Sequence, residues 1–178
     1  MAILGVDDFK SKLVGGGARS NLFKVTMNYP SYAQGDVELT SFMCKTAQMP
    51  ASIIAPIPVL FRGRTLQIAG DRTFDPWTIT VINDVGFEVR NAMERWMNGI
   101  NAHSANTGLS SPILYEADLF IEQLDRNGDS IKKYTFRGAF PNAISPIDVA
   151  YSANDEIERF QVTFEYQYFE SQEPSTTT

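Results

Sequence analysis

Residues that carry catalysis and metal binding are scarce in this chain. It has one cysteine, Cys44, and one histidine, His103, among its 178 residues. A single cysteine excludes an intrachain disulfide, which fits either a reducing compartment or indifference to redox state. Metal sites need several convergent ligands, and an activated nucleophile needs a base beside it. Because the two residues are far apart in sequence, we predict no catalytic residue, no metal site and no cofactor.

Long hydrophobic runs and excess positive charge are also missing. No apolar run reaches the roughly 20 residues of a membrane span. The first residues, MAILGVDDFKSKL, lack the basic and apolar regions of a secretory signal. The net charge is -6, from 15 Lys and Arg against 21 Asp and Glu, whereas tight duplex binding needs clustered positive charge. We expect no export, no stable membrane insertion and no tight hold on DNA.

Alternating apolar and polar residues dominate what is present. A continuous helical stripe over residues 85–100 predicts one long helix, which Asn83 or Asp84 would cap and Gly99 would end. The remaining pattern predicts a mainly β, antiparallel fold with this helix on its flank. The predicted strands cover residues 21–29, 37–45, 64–70, 74–84, 113–124, 130–138 and 156–170, with a further short strand at 147–151.

The two ends of the chain differ from its centre. Val6, Phe9 and Leu13 recur at helical spacing, and the GGG at 15–17 predicts a hinge. We therefore predict an N-terminal arm over 1–20, a single β domain over 21–170 and a flexible tail over 171–178. The arm could pack on a neighbouring subunit or fray as an ordinary terminus, and the sequence leaves both open.

The last predicted strand is unusually long. Ile157 to Phe169 would span roughly 44 Å at about 3.4 Å per residue, whereas ordinary strands span roughly 17–20 Å. Such a strand is more typical of a barrel or tube wall than of a small sandwich.

A proline-containing segment at 46–64 is predicted to be a loop. Pro50, Pro56 and Pro58 oppose a regular central strand or helix. Its apolar side chains must still pack against a surface, either of their own domain or of another subunit, and we favour another subunit.

Acidic residues occur in two places that could do chemistry. Asp71, Arg72 and Asp75 could neutralise one another in a tight turn, or fix a junction between subunits, because Arg binds carboxylates in bidentate fashion. A carboxylate pair for acid–base catalysis is less favoured, since no histidine, metal or cofactor site accompanies it. The alternating Glu116, Asp118 and Glu122 predict either a solvated sheet face or part of an acidic wall.

Five stretches of the chain resemble one protein family in order and over nearly the whole length. They are ARSNLFKV (18–25), FMCKTAQMPA (42–51), IPV (57–59), AGDRTFDPWTITVINDVGFEVR (69–90) and ANDEIERFQVTFEYQYFE (153–170). The sequence resembles the tail tube proteins of contractile-tailed, myovirus-type bacteriophages. Related tubes occur in type VI secretion systems and phage-like bacteriocins, which are the alternative context.

This resemblance implies a structural protein and not an enzyme. The implied fold is an antiparallel β-sandwich or partial barrel with one flanking helix, whose strands join an inter-subunit β-barrel in a hexameric ring. Rings would stack into a hollow tube that conducts the genome into the host on sheath contraction. The implied partners are other copies of the chain, the sheath, the baseplate and tail terminator proteins, the tape-measure protein in the lumen, and viral DNA in transit without sequence-specific binding. The implied location is the virion tail, and the host cytoplasm during assembly.

The resemblance also gives expected roles to three sets of residues. The 46–58 segment would be the ring-stacking loop, the Asp-Arg-Asp group an inter-subunit or turn cluster, and two polar strand faces the lumen lining. The ring-stacking set is Met49, Pro50, Ile53, Ile54, Pro56, Ile57 and Pro58; the polar cluster is Asp71, Arg72 and Asp75; the lumen-facing set is Lys24, Thr26, Asn28, Arg159, Gln161, Thr163, Glu165 and Gln167.

Overall fold

Antiparallel strands form most of the chain, as the alternating pattern predicts. The computed structural model describes residues 5–13 and 16–172. The strands are β1 Phe23–Met27, β2 Cys44–Ala47, β3 Ser52–Phe61, β4 Arg64–Phe74, β5 Trp77–Ile82, β6 Ala117–Leu124, β7 Ser130–Ile144, β8 Arg159–Glu165 and β9 Tyr168–Gln172. The helices are α1 Val6–Lys12, α2 Val37–Met43, α3 Glu88–Ile100 and α4 Pro112–Tyr115. The predicted hinge at 15–17 and tail at 171–178 lie partly outside the described residues.

One long strand, β7, is shared by two sheets. Its first part pairs with β6 and β9, and its last part pairs with β8. Sheet one therefore contains β1, β6, the start of β7 and β9, and sheet two contains the end of β7, β8, β5 and β2. Trp77 of sheet two stacks on Phe136 of sheet one at 4.4 Å between ring centroids. The two sheets thus face each other across one apolar core, which confirms the predicted sandwich or partial barrel.

Gly138 is the point at which β7 turns from one sheet to the other. Its φ is +61°, in the left-handed region that favours glycine. A Cβ at this position would lie 2.9 Å from Cγ of Gln167 and 3.0 Å from Oε2 of Glu116. Both the backbone conformation and the space around it therefore favour glycine at this position.

We expect Gly138→Ala to lower the free energy of unfolding by about 1–3 kcal/mol, the usual cost of a strained backbone position. Chemical denaturation measures this loss. Gly128→Ala is the matched control, because Gly128 also has a positive φ, +92°, but has no atom within 4 Å of its would-be Cβ. A loss no larger at Gly138 than at Gly128 would show that crowding at the bend is unimportant.

The long helix packs where its stripe predicts. Val89, Ala92, Met93 and Trp96 of α3 are buried against the core. Both ends differ from the prediction. Gly99 lies inside the helix, which ends at Ile100. The helix begins at Glu88, after a turn in which the Phe87 N–H donates to the Asp84 carbonyl. The Asp84 carboxylate still accepts from the Glu88 N–H at 3.1 Å, so its predicted capping role is confirmed in part.

Several predicted strand boundaries are wrong. The 37–45 segment is mostly helix α2, because the Asp36 carboxylate accepts from the N–H groups of Glu38 and Leu39 and caps it. The 113–124 strand begins only after α4, and no strand forms at 147–151.

The predicted long strand at 156–170 is two strands, β8 and β9, with a break at Tyr166 and Gln167. The Gln167 N–H donates to the Arg137 carbonyl, beside the bend of β7. The chain therefore bends between β8 and β9 where β7, with which both pair, also bends. The predicted strand of roughly 44 Å does not exist.

No helix in the described ranges is long and apolar enough to cross a membrane.

Candidate assembly surface

The predicted proline loop is instead a strand of a separate hairpin. β3 and β4 form their own two-stranded sheet, apart from the main sheets. Its tip is a two-residue turn at Arg62 and Gly63, which both have positive φ (+45° and +83°), as a type I′ turn requires. At its base, the Phe74 ring contacts the rings of Tyr166 and Phe169 at 5.9 and 5.4 Å. An isolated hairpin is marginally stable in water, so this one needs a partner surface.

Hairpin geometry explains why the loop prediction is wrong. A two-residue turn makes Phe61 and Arg64 a hydrogen-bonded pair, and the pair types then alternate along the ladder. Pro58 and Pro56, opposite Gln67 and Ala69, occupy the pairs that exchange no hydrogen bonds. Their nitrogens face away from β4, so no ladder bond is lost. The proline rule excludes a central strand, and β3 is an edge strand.

One face of this hairpin is a continuous apolar surface. Ile57 lies opposite Ile68, and Val59 lies opposite Leu66. All four side chains are exposed by about half. We call this set, Ile57, Val59, Leu66 and Ile68, the aliphatic face.

The other face of the hairpin is mixed. It carries Leu60, which is 82% exposed, together with the two prolines and the polar Thr65 and Gln67.

Of the predicted ring-stacking residues, only Ile57 belongs to the aliphatic face. Met49 and Pro50 precede β3, while Ile53, Ile54, Pro56, Ile57 and Pro58 belong to it. The sequence reasoning missed Val59, Leu66 and Ile68. The Arg-Gly pair at 62–63, between two apolar runs, is the signal that could have found them.

The Asp-Arg-Asp group does not form a compact ionic cluster. Asp71 and Arg72 lie on β4 and Asp75 follows it, and all three are exposed. No salt bridge joins them within the described part of the chain. The expected mutual neutralisation is therefore wrong for the single chain, and an inter-subunit role stays a prediction.

The predicted lumen residues lie on two different surfaces. Lys24, Thr26 and Asn28 belong to the outer face of sheet one, beside the outward residues of β6. The outer faces of two packed sheets point in opposite directions. A single tube wall can therefore contain only one of these two sets of residues. The other set is on sheet two and at its end: Arg159, Gln161 and Thr163 face outward on β8, Glu165 ends β8, and Gln167 lies between β8 and β9.

The acidic row on β6 is largely neutralised by β7. Lys133 Nζ lies 3.0 Å from Oε1 of Glu122. Arg137 binds Asp118 and also Glu170 of β9, the latter at 2.9 Å. Hydrogen bonds from Arg137 to Glu170 and then to Asp118 raise the pKa of this guanidinium above its usual range. Sheet one therefore presents paired charges and not an acidic wall.

Cys44 is a buried core residue. Its side chain is 8% exposed, and its Sγ lies 3.6 Å from the Thr46 carbonyl oxygen. Burial raises the pKa of the thiol from 9.0 to about 12, which suppresses the thiolate that acts as nucleophile and metal ligand. Among the described residues, no group of three or more His, Cys, Asp or Glu is placed to hold a metal ion.

We expect Cys44 to react with a disulfide reagent at pH 8 at least about 100-fold more slowly in the folded chain than in denaturant, because the folded chain holds far less thiolate. Stopped-flow absorbance traces recorded with and without denaturant measure this ratio of reaction rates. The raised pKa also fixes the pH dependence: this thiol does not change the free energy of unfolding below about pH 9, and lowers it as pH rises toward 12. Equal rates in the two conditions would contradict the buried position.

Comparisons with known proteins agree over nearly the whole chain. A family model described as phage tail tube protein matches residues 18–172. Tail tube protein gp19 of Enterobacteria phage T4 is 34% identical over 169 residues, covering 93% of this chain and 99% of that protein. The tail tube protein of Serratia phage KSP90 is 32% identical over 171 residues, covering 93% and 95%.

Solved structures share the fold at low identity. A chain from the cryo-EM structure of the anti-feeding prophage baseplate matches with a TM-score of 0.66 at 12% identity, covering 89% of this chain and 97% of that one. A chain from the sheath/tube terminator of the PVC extracellular contractile injection system matches with a TM-score of 0.65 at 15% identity, covering 88% and 96%.

Proposed function

This chain belongs to the phage tail tube protein family and is a structural subunit of a phage tail; on that premise we propose that its copies join through the β3–β4 hairpin into hexameric rings, which stack into a hollow tube. The tube conducts the genome into the host when the sheath contracts. The observation that supports this most directly is the exposed aliphatic face of the hairpin.

That face is unfavourable in a single chain in water. Its four branched side chains meet across the ladder and are each exposed by about half. Full burial of one such side chain is favourable by about 1.5–3 kcal/mol. A surface of this kind on a protein that forms assemblies supports a contact with another copy.

The two free edges of the hairpin differ, which supports a contact in which one particular edge faces the neighbouring subunit. The β3 edge lacks N–H donors at Pro56 and Pro58, whereas the β4 edge, Arg64–Phe74, has no proline. An open edge of this length is a template for strand pairing. In our proposal β4 meets a neighbouring subunit, and Asp71, Arg72 and Asp75 lie at that junction.

Sheet two is the better candidate for the lumen wall. Its outer face carries Arg159, Gln161 and Thr163 on β8, with Thr78 and Thr80 opposite on β5. The Thr78 and Thr163 hydroxyls lie 3.0 Å apart, so part of this polar face bonds to itself. A wall of hydroxyl and amide groups with few cations would let DNA pass without holding it.

The further partners and locations follow from the family and are part of this proposal. We propose contacts with the sheath, the baseplate and tail terminator proteins, a tape-measure protein in the lumen, and viral DNA in transit. Assembly would take place in the host cytoplasm, and the protein does no chemistry. The alternative is a tube of a type VI secretion system or a phage-like bacteriocin. The phage context is favoured because phage tail tube proteins match at 32–34% identity, whereas injection-system chains match at 12–19%.

Sedimentation velocity of the purified protein across a range of concentrations tests the proposal. Species of ring size or larger, growing with concentration, are expected. A chain that stays strictly monomeric at high concentration, even with a nucleating baseplate, would contradict self-assembly.

A further inference from the structure

An open groove lies between β1 and α2, outside the hairpin. Its volume is about 580 Å³, and Phe23, Val37 and Leu124 contribute to its lining. Phe42 of α2 stands on its rim and is 77% exposed. Exposed apolar surface of this kind on a folded domain marks an interaction site.

The N-terminal helix α1 carries an unpartnered apolar stripe. Val6, Phe9 and Leu13 share one side of the helix, and all three are exposed, Phe9 by 65%. A helix of 7 residues is not stable alone in water, so α1 needs a surface to pack against.

We infer that α1 of one copy docks in the groove between β1 and α2 of a second copy. The inference rests on the proposed self-assembly and names one of its contacts. The stripe and the groove are exposed at the same time in one chain, so α1 does not fill its own groove. A helix laid into an apolar groove with anchors at i, i+3 and i+7 is a common recognition mode.

The attachment of the arm supports exchange between copies. The Gln123 side-chain amide donates to the carbonyls of Arg19 and Leu22, which fastens this part of the chain to β6. Gly16 and Gly17, immediately before it, have φ of +79° and +78°, so the chain can redirect there. In this proposal the helix reaches a neighbouring copy from this fixed base, and a contact given by each copy to the next repeats without closing, as a stacked tube requires.

Charges beside the groove match those of the helix. Lys24 and Glu38 line it, while α1 has Asp7 and Asp8 in its first turn and basic residues in its last turn, Lys10 and Lys12. In the proposed contact Lys24 pairs with the acidic first turn and Glu38 with the basic last turn, which would set the direction of the docked helix. Docking also covers Lys24 and Thr26 with protein, which agrees with a lumen wall on sheet two.

A pair of cysteines tests the contact. The full-length double variant Phe9→Cys with Phe42→Cys is assembled, oxidised mildly and run on a non-reducing gel. The control pair is Phe9→Cys with Tyr151→Cys, because Tyr151 is fully exposed but is not among the lining residues of the groove. The native Cys44 stays in place, since it is buried.

We expect a ladder of covalent dimers and higher multimers for the 9–42 pair, at least tenfold more intense than for the 9–151 pair. A cross-linked monomer without a ladder, or equal ladders for both pairs, would overturn the inference. Tubes of the double variant without any ladder would overturn the inference and leave the proposed function standing. If the unmodified chain itself forms no assembly, the proposed function fails and the inference with it.

Discussion

Ile57→Asp is expected to abolish assembly while leaving the single chain folded. Ile57 lies at the centre of the aliphatic face, opposite Ile68, and makes its apolar contacts on an exposed hairpin. In an assembled tube the change loses about 1.5–3 kcal/mol of apolar burial and adds the cost of a buried, unpaired carboxylate. We therefore expect each contact to weaken more than about 100-fold, with no tubes in electron micrographs or pelleting assays.

The matched control is Tyr151→Asp, which adds the same charge at a fully exposed apolar residue outside the hairpin. It should assemble as the unchanged protein does. The free energy of unfolding of both variants should stay within about 0.5 kcal/mol of the parent, as is usual for surface changes. Normal tubes from Ile57→Asp would show that the hairpin face is not the contact.

Trp77→Ala is expected to cost about 3–5 kcal/mol of unfolding free energy, the range for a buried aromatic. Trp77 is 2% exposed, stacks on Phe136 at 4.4 Å and donates from Nε1 to the Gln48 carbonyl at 2.7 Å. It therefore joins the two sheets and also fixes the chain just before the hairpin. Denaturant titration, followed by the fluorescence of the remaining Trp96, measures the loss.

Trp77→Phe separates the two contributions and keeps the test open if the alanine variant fails to fold. It retains part of the stacking but leaves the Gln48 carbonyl without its donor, which costs about 1–3 kcal/mol. Val149→Ala, at an exposed position, is the neutral control. A loss under about 1 kcal/mol for Trp77→Ala would contradict its place as the bridge between the sheets.

Trp77 lies in the stretch from Ala69 to Gly99, which also carries two aspartates, an arginine and an Asn-Asp pair. In the folded chain Trp77 is a core residue and Asp84 binds the first N–H of α3. Asp71, Arg72 and Asp75 are exposed along and after the hairpin strand β4. The stretch maintains a shape: hairpin, core strand and helix in succession.

Apolar periodicity in the sequence is sufficient to predict the elements that bury one regular face. The alternation in β1, β5, β6 and β7 and the stripe of α3 locate these elements, because each buries one face against the same core. The start of β6 and the end of β7 are missed. Segment 37–45 is predicted as a strand, but the Asp36 cap and the packing of Leu39 and Met43, one helical turn apart, against the core favour helix α2. The core-facing side of so short a segment is set by tertiary packing.

Non-local geometry accounts for the remaining errors. The break between β8 and β9 follows the bend of β7 at Gly138, which is distant in sequence. The aliphatic face was found only through Ile57, since the prolines indicated a loop and concealed the ladder to Leu66 and Ile68. The groove between β1 and α2 depends on tertiary packing and has no signal in the sequence.

Electron microscopy of the purified protein at low and high concentration tests the central claim most directly. The account predicts six-fold rings or hollow tubes, in which the β3–β4 hairpin of each copy is covered by a neighbouring copy. Single small particles at every concentration, or tubes in which the aliphatic face of the hairpin remains in solvent, would contradict it.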